Sequence, residues 1–411
     1  MRVLRIAIGL LALFSAAKFA SAVLGLDTHL HDISLPAGGG LVSPEEELRK
    51  DLRALFGKSP EKDSPGFAIL VKKKQKTVFE EGFGLGDLRR RLPITARTNF
   101  RLASCTKQFT AMAIMLLVDD GRLRYDESLT DVFPEFPAYG AKITVRNLLN
   151  HTSGLPDYEE LMDKAEKRRG PLWSPEKQIL DAEVLALLES ESQGKFAPGT
   201  KWEYSNSGYV VLGLIVAKRS GETFPGFLRD RIFLPLKMEH TLVFEKGKNE
   251  VANRAFGHAA IPADPGSRDF LRFNEADQSS TSATEGDGGI YSNLEDLSKW
   301  DEALRRYTLL GREKFAPAIT PAALPAGADK ILAEDAPLSM RKHPVSYGFG
   351  WFLNLDDPQP LVWHYGETTG FKTAIFRYTK DDVTVIFLAN RTDLDQGEIA
   401  LEAARLFLAA N

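Results

Sequence analysis

The chain has little of what several classes of protein depend on. Its 411 residues include one cysteine, which excludes disulfides within the chain and cysteine-rich metal sites. Acidic and basic residues nearly balance at a formal charge of −4, so nothing favours nucleic acid or an anionic membrane surface as a partner. No internal repeat or long low-complexity tract is present, and no apolar run after the N-terminal segment is long enough to span a bilayer.

The remaining composition, 43% apolar and 26% charged, is that of an ordinary globular protein. Predicted strands, rich in β-branched and aromatic residues, cover residues 66–70, 77–83, 347–352, 371–378 and 383–388. Predicted helices, from apolar periodicity and capping residues, cover 43–56, 106–118, 144–149, 175–188, 207–219, 224–233 and 397–408. We therefore predict an α+β fold: an antiparallel β-sheet flanked by helices, built from about 45–100 and 285–411, with an inserted all-α part over about 105–284.

The N-terminus has the pattern of an export signal. Arg2 and Arg5 precede a 12-residue apolar run over 6–17, and Ala20-Ser21-Ala22 matches a cleavage site. We expect a signal peptide over 1–22, a leader over 23–42 and the folded domain over 43–411. The expected mature protein is periplasmic or extracellular, with no stable membrane span after cleavage. The alternative is an uncleaved membrane anchor.

Ser104-Cys105-Thr106-Lys107 is a Ser-x-x-Lys motif, in which a lysine helps to activate a serine nucleophile. Five other matches begin at residues 15, 59, 174, 192 and 339. Only Ser104 is predicted to open a long helix that is apolar nearly all round and hence buried. Such a helix holds Ser104 and Lys107 on one face, with its N-terminal amides near the serine. On this pattern alone, catalysis and a simple helix cap are equally supported.

Two downstream motifs add groups suited to catalysis. Tyr204-Ser205-Asn206 precedes a predicted helix; a tyrosine near a lysine can be acidified and serve as general base, and the asparagine can orient substrate. His364-Tyr365-Gly366-Glu367 lies beside a predicted strand, where the glycine permits close approach of a substrate. A second Tyr-x-Asn, Tyr291-Ser292-Asn293, is interpreted as a decoy with Ser292 as a helix N-cap.

With these motifs in this order, residues 45–410 resemble the serine β-lactamase and penicillin-binding-protein superfamily. The resemblance is to the class C-like branch of β-lactamases, D-aminopeptidases, DD-peptidases and esterases. Further segments that carry it are Leu148–Leu155, Pro235–Thr241, Gly288–Ser292 and Tyr347–Trp351.

The resemblance implies an exported serine hydrolase that cleaves an amide or ester bond in a small molecule or peptide. Ser104 would be the acylated nucleophile, Lys107 and Tyr204 would share the proton relay, and Asn206 would position substrate. His364 and Gly366 would contact substrate, and the backbone N–H groups of Ser104 and Glu367 would form the oxyanion hole. The resemblance implies no metal and no organic cofactor.

One departure from typical class C β-lactamases is that His364-Tyr365-Gly366 stands where they carry Lys-Thr-Gly. A lysine is a permanent cation for a substrate carboxylate, whereas an ordinary histidine is mostly neutral at pH 7. The histidine is common among the esterases and peptidases of the branch. The departure therefore argues against efficient penicillin hydrolysis.

Other interpretations stay open at this point. Cys105 is a possible thiol nucleophile, although a small packed residue is the simpler interpretation. His151 is expected to buttress the end of the helix before Gly154. A non-hydrolysing penicillin-binding or cell-wall sensor protein on the same scaffold is the alternative function. The lysine-rich stretch 72–76 is expected to be a solvated hairpin tip, and segments 155–175 and 245–285 are expected to include loops over the cleft.

Overall fold

The computed structural model describes residues 43–55, 61–262, 271–326 and 345–408. The expected signal peptide and leader lie outside these ranges. The described α-helices are α1 (Pro44–Ala54), α2 (Lys107–Asp119), α3 (Leu129–Val132), α4 (Val145–Leu149), α5 (Tyr158–Arg169), α6 (Asp181–Glu189), α7 (Asn206–Ser220), α8 (Phe224–Leu228), α9 (Leu294–Arg306), α10 (Arg312–Phe315) and α11 (Gln396–Arg405).

The described strands are β1 (Phe67–Lys73), β2 (Lys76–Phe83), β3 (Leu85–Asp87), β4 (Leu92–Pro93), β5 (Phe100–Arg101), β6 (Leu242–Val243), β7 (His258–Pro262), β8 (Leu271–Glu275), β9 (Ile290–Ser292), β10 (Ser346–Tyr347), β11 (Phe352–Asn354), β12 (Leu361–Thr368), β13 (Phe371–Tyr378) and β14 (Val383–Ala389). A 3-10 turn, Ala103–Thr106, leads directly into α2.

The principal sheet joins strands from both ends of the described chain. Its seven strands follow the order β10-β11-β12-β13-β14-β1-β2, and every neighbouring pair is antiparallel. Because β1 pairs with β14, strands from the two ends of the described chain are hydrogen-bonded to each other within the sheet. Within the described residues, the region between β2 and β10 contributes helices α2 to α10 and the smaller sheets β3-β4, β5-β9-β6 and β7-β8.

Helices cover both faces of this sheet, as the side chains of β1 demonstrate. Phe67, Ile69 and Val71 pack in the same apolar cluster as residues of α1 and α11. Ala68 and Leu70, which point to the opposite face, belong to the larger cluster that includes α2, α7 and α9. A strand buried on both faces is apolar at consecutive positions rather than alternately. The predicted α+β fold class is confirmed.

Several local predictions are wrong in detail. The helix expected over 175–188 begins only at α6, and the strand expected over 347–352 is split into β10 and β11. The segments 155–175 and 245–285, expected to include loops, do so among the described residues, but they also contain α5 and the β7–β8 pair. The N-cap of α9 is Asn293, whose side chain accepts a hydrogen bond from the Asp296 N–H at 2.9 Å, and not Ser292.

The lysine-rich hairpin is also not uniformly solvated. Lys72 is 3% exposed; its Nζ lies 3.6 Å from Asp301 Oδ2 and donates to the Ser298 carbonyl at 3.2 Å. Asp301 is in turn ion-paired with Arg305 and Arg377. The prediction failed because strand alternation turns this lysine toward α9, where a buried carboxylate balances its charge.

Among the described residues, no helix is both long and apolar enough to cross a membrane.

Candidate active site

Ser104 lies in the 3-10 turn Ala103–Thr106, three residues before α2 begins. The sequence predicted Ser104 at the first turn of the α-helix, whereas the backbone amides around it belong to a 3-10 turn. Ala103, Cys105 and Thr106 are buried, whereas Ser104 is partly exposed. Thr373 Oγ1 of β13 holds the base of the turn by donating to the Leu102 carbonyl at 2.8 Å. The serine hydroxyl is therefore presented by a fixed backbone.

Lys107 is the first residue of α2 and is completely buried. Its Nζ donates to Ser104 Oγ at 3.0 Å, to Asn206 Oδ1 at 2.8 Å and to the Asp287 carbonyl at 3.1 Å. Burial lowers its pKa to about 8, against the opposing effect of the Asp287 negative charge. At pH 7 about a tenth of such lysines are neutral, and a neutral amine in contact with a hydroxyl is able to remove its proton.

Tyr204 and Asn206 flank the start of α7, and both reach the lysine. Lys107 Nζ lies 4.9 Å from the centre of the Tyr204 ring, and the Ser104 side chain is among the groups that lower the pKa of the phenol. Ser205 caps α7 by accepting from the Gly208 N–H at 3.1 Å, which fixes the residues on either side of it. Burial raises the pKa of Tyr204 well above its ordinary value. The expected acidification of this phenol is therefore wrong, and the Tyr204 hydroxyl keeps its proton at neutral pH.

His151 supports the Tyr204-Ser205-Asn206 segment from below. Its Nδ1 accepts a hydrogen bond from the Ser205 N–H at 3.1 Å. Its ring centre lies 4.4 Å from that of Tyr204 and 4.5 Å from that of Tyr347. Burial lowers the pKa of His151 well below 6.5, so the ring is neutral. His151 follows α4, as expected, but its ring packs against Tyr204 and holds that residue in place.

His364, Gly366 and Glu367 occupy β12, beside the Ser104 turn. The His364 ring is buried; its Nδ1–H donates to the Tyr365 carbonyl at 2.6 Å and its Nε2 accepts from the Tyr347 hydroxyl at 3.0 Å. Burial, reinforced by the charge of Lys107, lowers the pKa of His364 to about 3. The histidine is thus a neutral internal group whose two nitrogens are both engaged.

Gly366 and Glu367 differ in orientation from His364. A Cβ on Gly366 would lie 2.2 Å from the Leu102 carbonyl oxygen and 2.4 Å from Thr373 Oγ1, so only glycine lets β12 lie against the Ser104 turn. The Glu367 side chain is exposed, and its carboxylate is 3.5 Å from Lys372 Nζ. Of the seven residues predicted for the site, Ser104, Lys107, Tyr204 and Asn206 share contacts, Gly366 packs on the serine turn, His364 points inward and the Glu367 side chain points outward.

Two further residues belong to the site but were not predicted from the sequence. Asp287 supplies the third acceptor of Lys107, and Tyr347 bonds His364 and packs on His151. Tyr347 lies in the segment Tyr347–Trp351, which already carried the family resemblance. The one sequence feature that could have drawn attention to Asp287 is its position between Gly286 and Gly288. The thiol hypothesis is disfavoured because burial raises the pKa of Cys105 to about 12, which keeps the sulfur protonated.

The described residues contain no group of three or more His, Cys, Asp or Glu side chains arranged to hold a metal ion. The groups that the site brings together are those of acid–base and nucleophilic chemistry. They are a hydroxyl, an amine of lowered pKa, a neutral phenol and an amide.

Comparisons with known proteins find relatives over most of the chain. A family model described as Beta-lactamase matches residues 48–410. Penicillin-binding protein 4* of Bacillus subtilis (strain 168) is 30% identical over 373 residues, which cover 89% of this chain and 77% of that protein. The octameric penicillin-binding protein homologue from Pyrococcus abyssi has a TM-score of 0.70 and 26% identity, covering 89% of this chain and 77% of its own. D-amino acid amidase from Ochrobactrum anthropi SV3 has a TM-score of 0.68 and 25% identity, covering 89% and 98%.

Replacing Gly366 with alanine tests the packing of β12 on the serine turn. We expect Gly366→Ala to lose about 1–3 kcal/mol of unfolding free energy and to slow the labelling of Ser104 by a fluorophosphonate roughly tenfold or more, because the strand must move away from the turn. Urea unfolding and labelling rates measure the two effects. Gly311→Ala is the matched control, since its added Cβ meets nothing within 4 Å; equal behaviour of both variants would refute the packing argument.

Proposed function

The chain belongs to the beta-lactamase family, and from that premise we propose that it is a serine hydrolase which cleaves an amide or ester bond through an acyl-enzyme on Ser104. The observation that carries this proposal is the 3.0 Å contact between Lys107 Nζ and Ser104 Oγ. It joins a partly exposed hydroxyl to an amine whose pKa burial brings to about 8. A nucleophile and a base within hydrogen-bonding distance of each other are the groups that acyl transfer requires.

In the acylation step, neutral Lys107 takes the Ser104 hydroxyl proton while Oγ attacks the substrate carbonyl carbon. The carbonyl oxygen becomes an oxyanion, which we assign to the backbone N–H groups of Ser104 and Glu367. The bond to the leaving amine or alcohol then breaks, and the Tyr204 phenol passes a proton to the departing atom. Tyr204 regains its proton from Lys107, so the lysine is neutral again and Ser104 carries the acyl group.

Deacylation repeats these steps with water as the nucleophile. Water loses a proton to Lys107 and attacks the ester carbonyl, and Ser104 leaves with a proton returned through Tyr204. Asn206 holds Lys107 through its Oδ1 at 2.8 Å, and its amide nitrogen is the group we assign to substrate positioning. The products are a carboxylic acid and free enzyme, with no change in oxidation state and no cofactor consumed.

The first test is the intact mass of the purified protein after exposure to p-nitrophenyl acetate and to benzylpenicillin. We expect an adduct or turnover with at least one of them, and neither with Ser104→Ala, because the nucleophile is gone. Lys107→Met should slow acylation by a factor on the order of 10²–10⁴, the usual value of a positioned base. An adduct in Ser104→Ala would refute the proposal. A stable Ser104 adduct that never hydrolyses would favour the sensor alternative.

For the substrate we propose amides or esters without an obligatory carboxylate next to the reacting bond, with D-amino-acid amides as the leading candidates. Two contacts support this. His364 is neutral and engaged on both nitrogens, so it offers no cation to a penicillin carboxylate. Lys372, the cation opposite Glu367 on the next strand, is paired with that carboxylate. The similarity of the chain to D-amino acid amidase also supports D-amino-acid amides as substrates.

The Glu367–Lys372 pair makes this preference testable. Glu367→Gln leaves the backbone N–H in place and frees the Lys372 ammonium, so we expect benzylpenicillin acylation to rise roughly two- to fivefold relative to p-nitrophenyl acetate, the scale of one partly exposed ion pair. Stopped-flow or quenched-flow acylation rates measure the ratio. Glu302→Gln, which opens the exposed Glu302–Arg306 pair on α9, should leave the ratio unchanged. An unchanged ratio in Glu367→Gln would contradict the assignment.

We also propose that the protein is exported and cleaved after Ala22. The support is the sequence of residues 1–22, with its positive start, apolar run and Ala20-Ser21-Ala22. The mass of the protein secreted by its host should correspond to a chain that begins at Val23. A chain of full length in the membrane fraction would instead favour the anchor alternative.

A further inference from the structure

Asp287 contacts the catalytic lysine through its backbone carbonyl. It lies on a segment that is packed between helices α2 and α7. The Gly286 carbonyl accepts from Thr110 Oγ1 of α2 at 2.6 Å. A Cβ on Gly286 would lie 2.3 Å from the Tyr209 carbonyl oxygen of α7. The backbone is therefore wedged between α2 and α7, and the Asp287 carbonyl is held 3.1 Å from Lys107 Nζ.

The Asp287 side chain is enclosed as well. The residue is 7% exposed. Its Oδ2 accepts a long hydrogen bond, 3.5 Å, from the Tyr158 hydroxyl, and its Oδ1 has no hydrogen-bond partner among the described residues. A buried carboxylate with so few donors is costly unless a nearby positive charge compensates it. Lys107 is such a charge, and the Asp287 carboxylate is the largest of the effects that favour its protonated form.

The other groups around Lys107 do not supply this negative charge. Burial keeps the thiol of Cys105 protonated at neutral pH, the two histidines neutral and the phenols un-ionised. Glu159 is a carboxylate, but it is exposed at the start of α5 and acts on Lys107 more weakly than Asp287 does. The groups that face or act on the lysine are Ser104, Cys105, His151, Glu159, Tyr204, Asn206, Tyr209, Asp287 and His364.

From this placement we propose that Asp287 is a positioning residue whose buried carboxylate decides the pH at which Lys107 can accept the Ser104 proton; the inference rests on the proposed function. The carbonyl orients the ammonium group, and the carboxylate stabilises its positive form. Burial alone would leave Lys107 neutral but weakly basic. The nearby negative charge restores enough basicity for the amine to remove a hydroxyl proton while it still releases that proton near neutral pH.

The test is the pH dependence of Ser104 labelling by a fluorophosphonate between pH 5 and pH 10. In the native protein the rate should rise with pH and level off through an inflection near the Lys107 pKa of about 8. Asp287→Asn keeps the carbonyl and removes the charge. Because the carboxylate raises the lysine pKa, its removal should move the inflection down by about 1 pH unit and lower the plateau, since the amine becomes a weaker base.

Two controls separate a charge effect from a packing effect. Asp287→Glu retains the charge and should keep the inflection close to that of the native protein. Glu160→Gln removes an exposed carboxylate two positions along α5 from Tyr158 and should leave inflection and plateau unchanged. Asp287→Ala serves if Asp287→Asn does not fold, as judged by thermal unfolding, because it also keeps the carbonyl and loses the charge.

The outcomes also distinguish this inference from the function on which it rests. If Ser104 of the native protein is not labelled at any pH, or if Ser104→Ala is labelled equally, the proposed function fails. If labelling depends on Ser104 but the inflection of the folded Asp287→Asn or Asp287→Ala variant stays within about 0.2 pH unit of the native value or rises, only the role of Asp287 is overturned.

Discussion

The arrangement of the whole site depends on one buried ammonium group. Placing a charged amine in a protein interior is costly unless its donors are satisfied, and Lys107 donates to three oxygens from three parts of the described chain. One comes from the turn before α2, one from the start of α7 and one from the segment before β9. Any movement of these elements breaks a contact to the same nitrogen. The need to satisfy one lysine therefore aligns the Ser104 hydroxyl, the Asn206 amide and the Asp287 carbonyl.

The elements around the lysine approach each other more closely than side chains normally allow. Gly366 lets β12 touch the serine turn, and Gly350, with a φ of +78°, lets the loop between β10 and β11 reach the Lys107 backbone, where a Cβ would lie 2.7 Å from the carbonyl oxygen. Below them, the rings of His151, Tyr204 and Tyr347 pack together. The close backbone contacts and the tilted, packed rings leave the side chains of the site few rotamers. Such preorganisation would favour the proposed reaction, because little rearrangement is needed.

The sequence predicted the parts of the site that depend on local geometry. Ser104 and Lys107 are three residues apart on a helical turn, and Tyr204 and Asn206 flank a helix cap, so their spacing already determines which of them face the same way. Asp287 was missed because its contact with Lys107 joins residues 180 apart in the chain. Lys72 was misplaced for the same reason, since its partner Asp301 comes from a distant helix.

The protonation of Tyr204 and the size of the His364 pKa shift were also beyond the sequence, because both follow from burial. A motif identifies a histidine or a phenol but not the dielectric around it. The ordinary pKa of histidine already predicted a mostly neutral His364 at pH 7, whereas the neighbouring lysine made Tyr204 a conceivable acidified base. In the fold both are enclosed, which drives the histidine pKa down and the tyrosine pKa up. Burial thus reverses the role that proximity alone assigned to Tyr204.

These opposite shifts in pKa, downward for the histidines and upward for Tyr204, simplify the acid–base chemistry of the site. His151 and His364 give up their protons far below neutral pH, and Tyr204 keeps its proton far above it. Lys107, with a pKa of about 8, lies between them. Of these four groups, only the lysine changes its protonation state in the neutral range, so one ionisation governs their contribution to the proposed acylation. A site with a cationic lysine in place of His364 would add a second positive charge beside Lys107 and lower its pKa further. The neutral histidine therefore both withholds a cation from substrate carboxylates and preserves the basicity of Lys107.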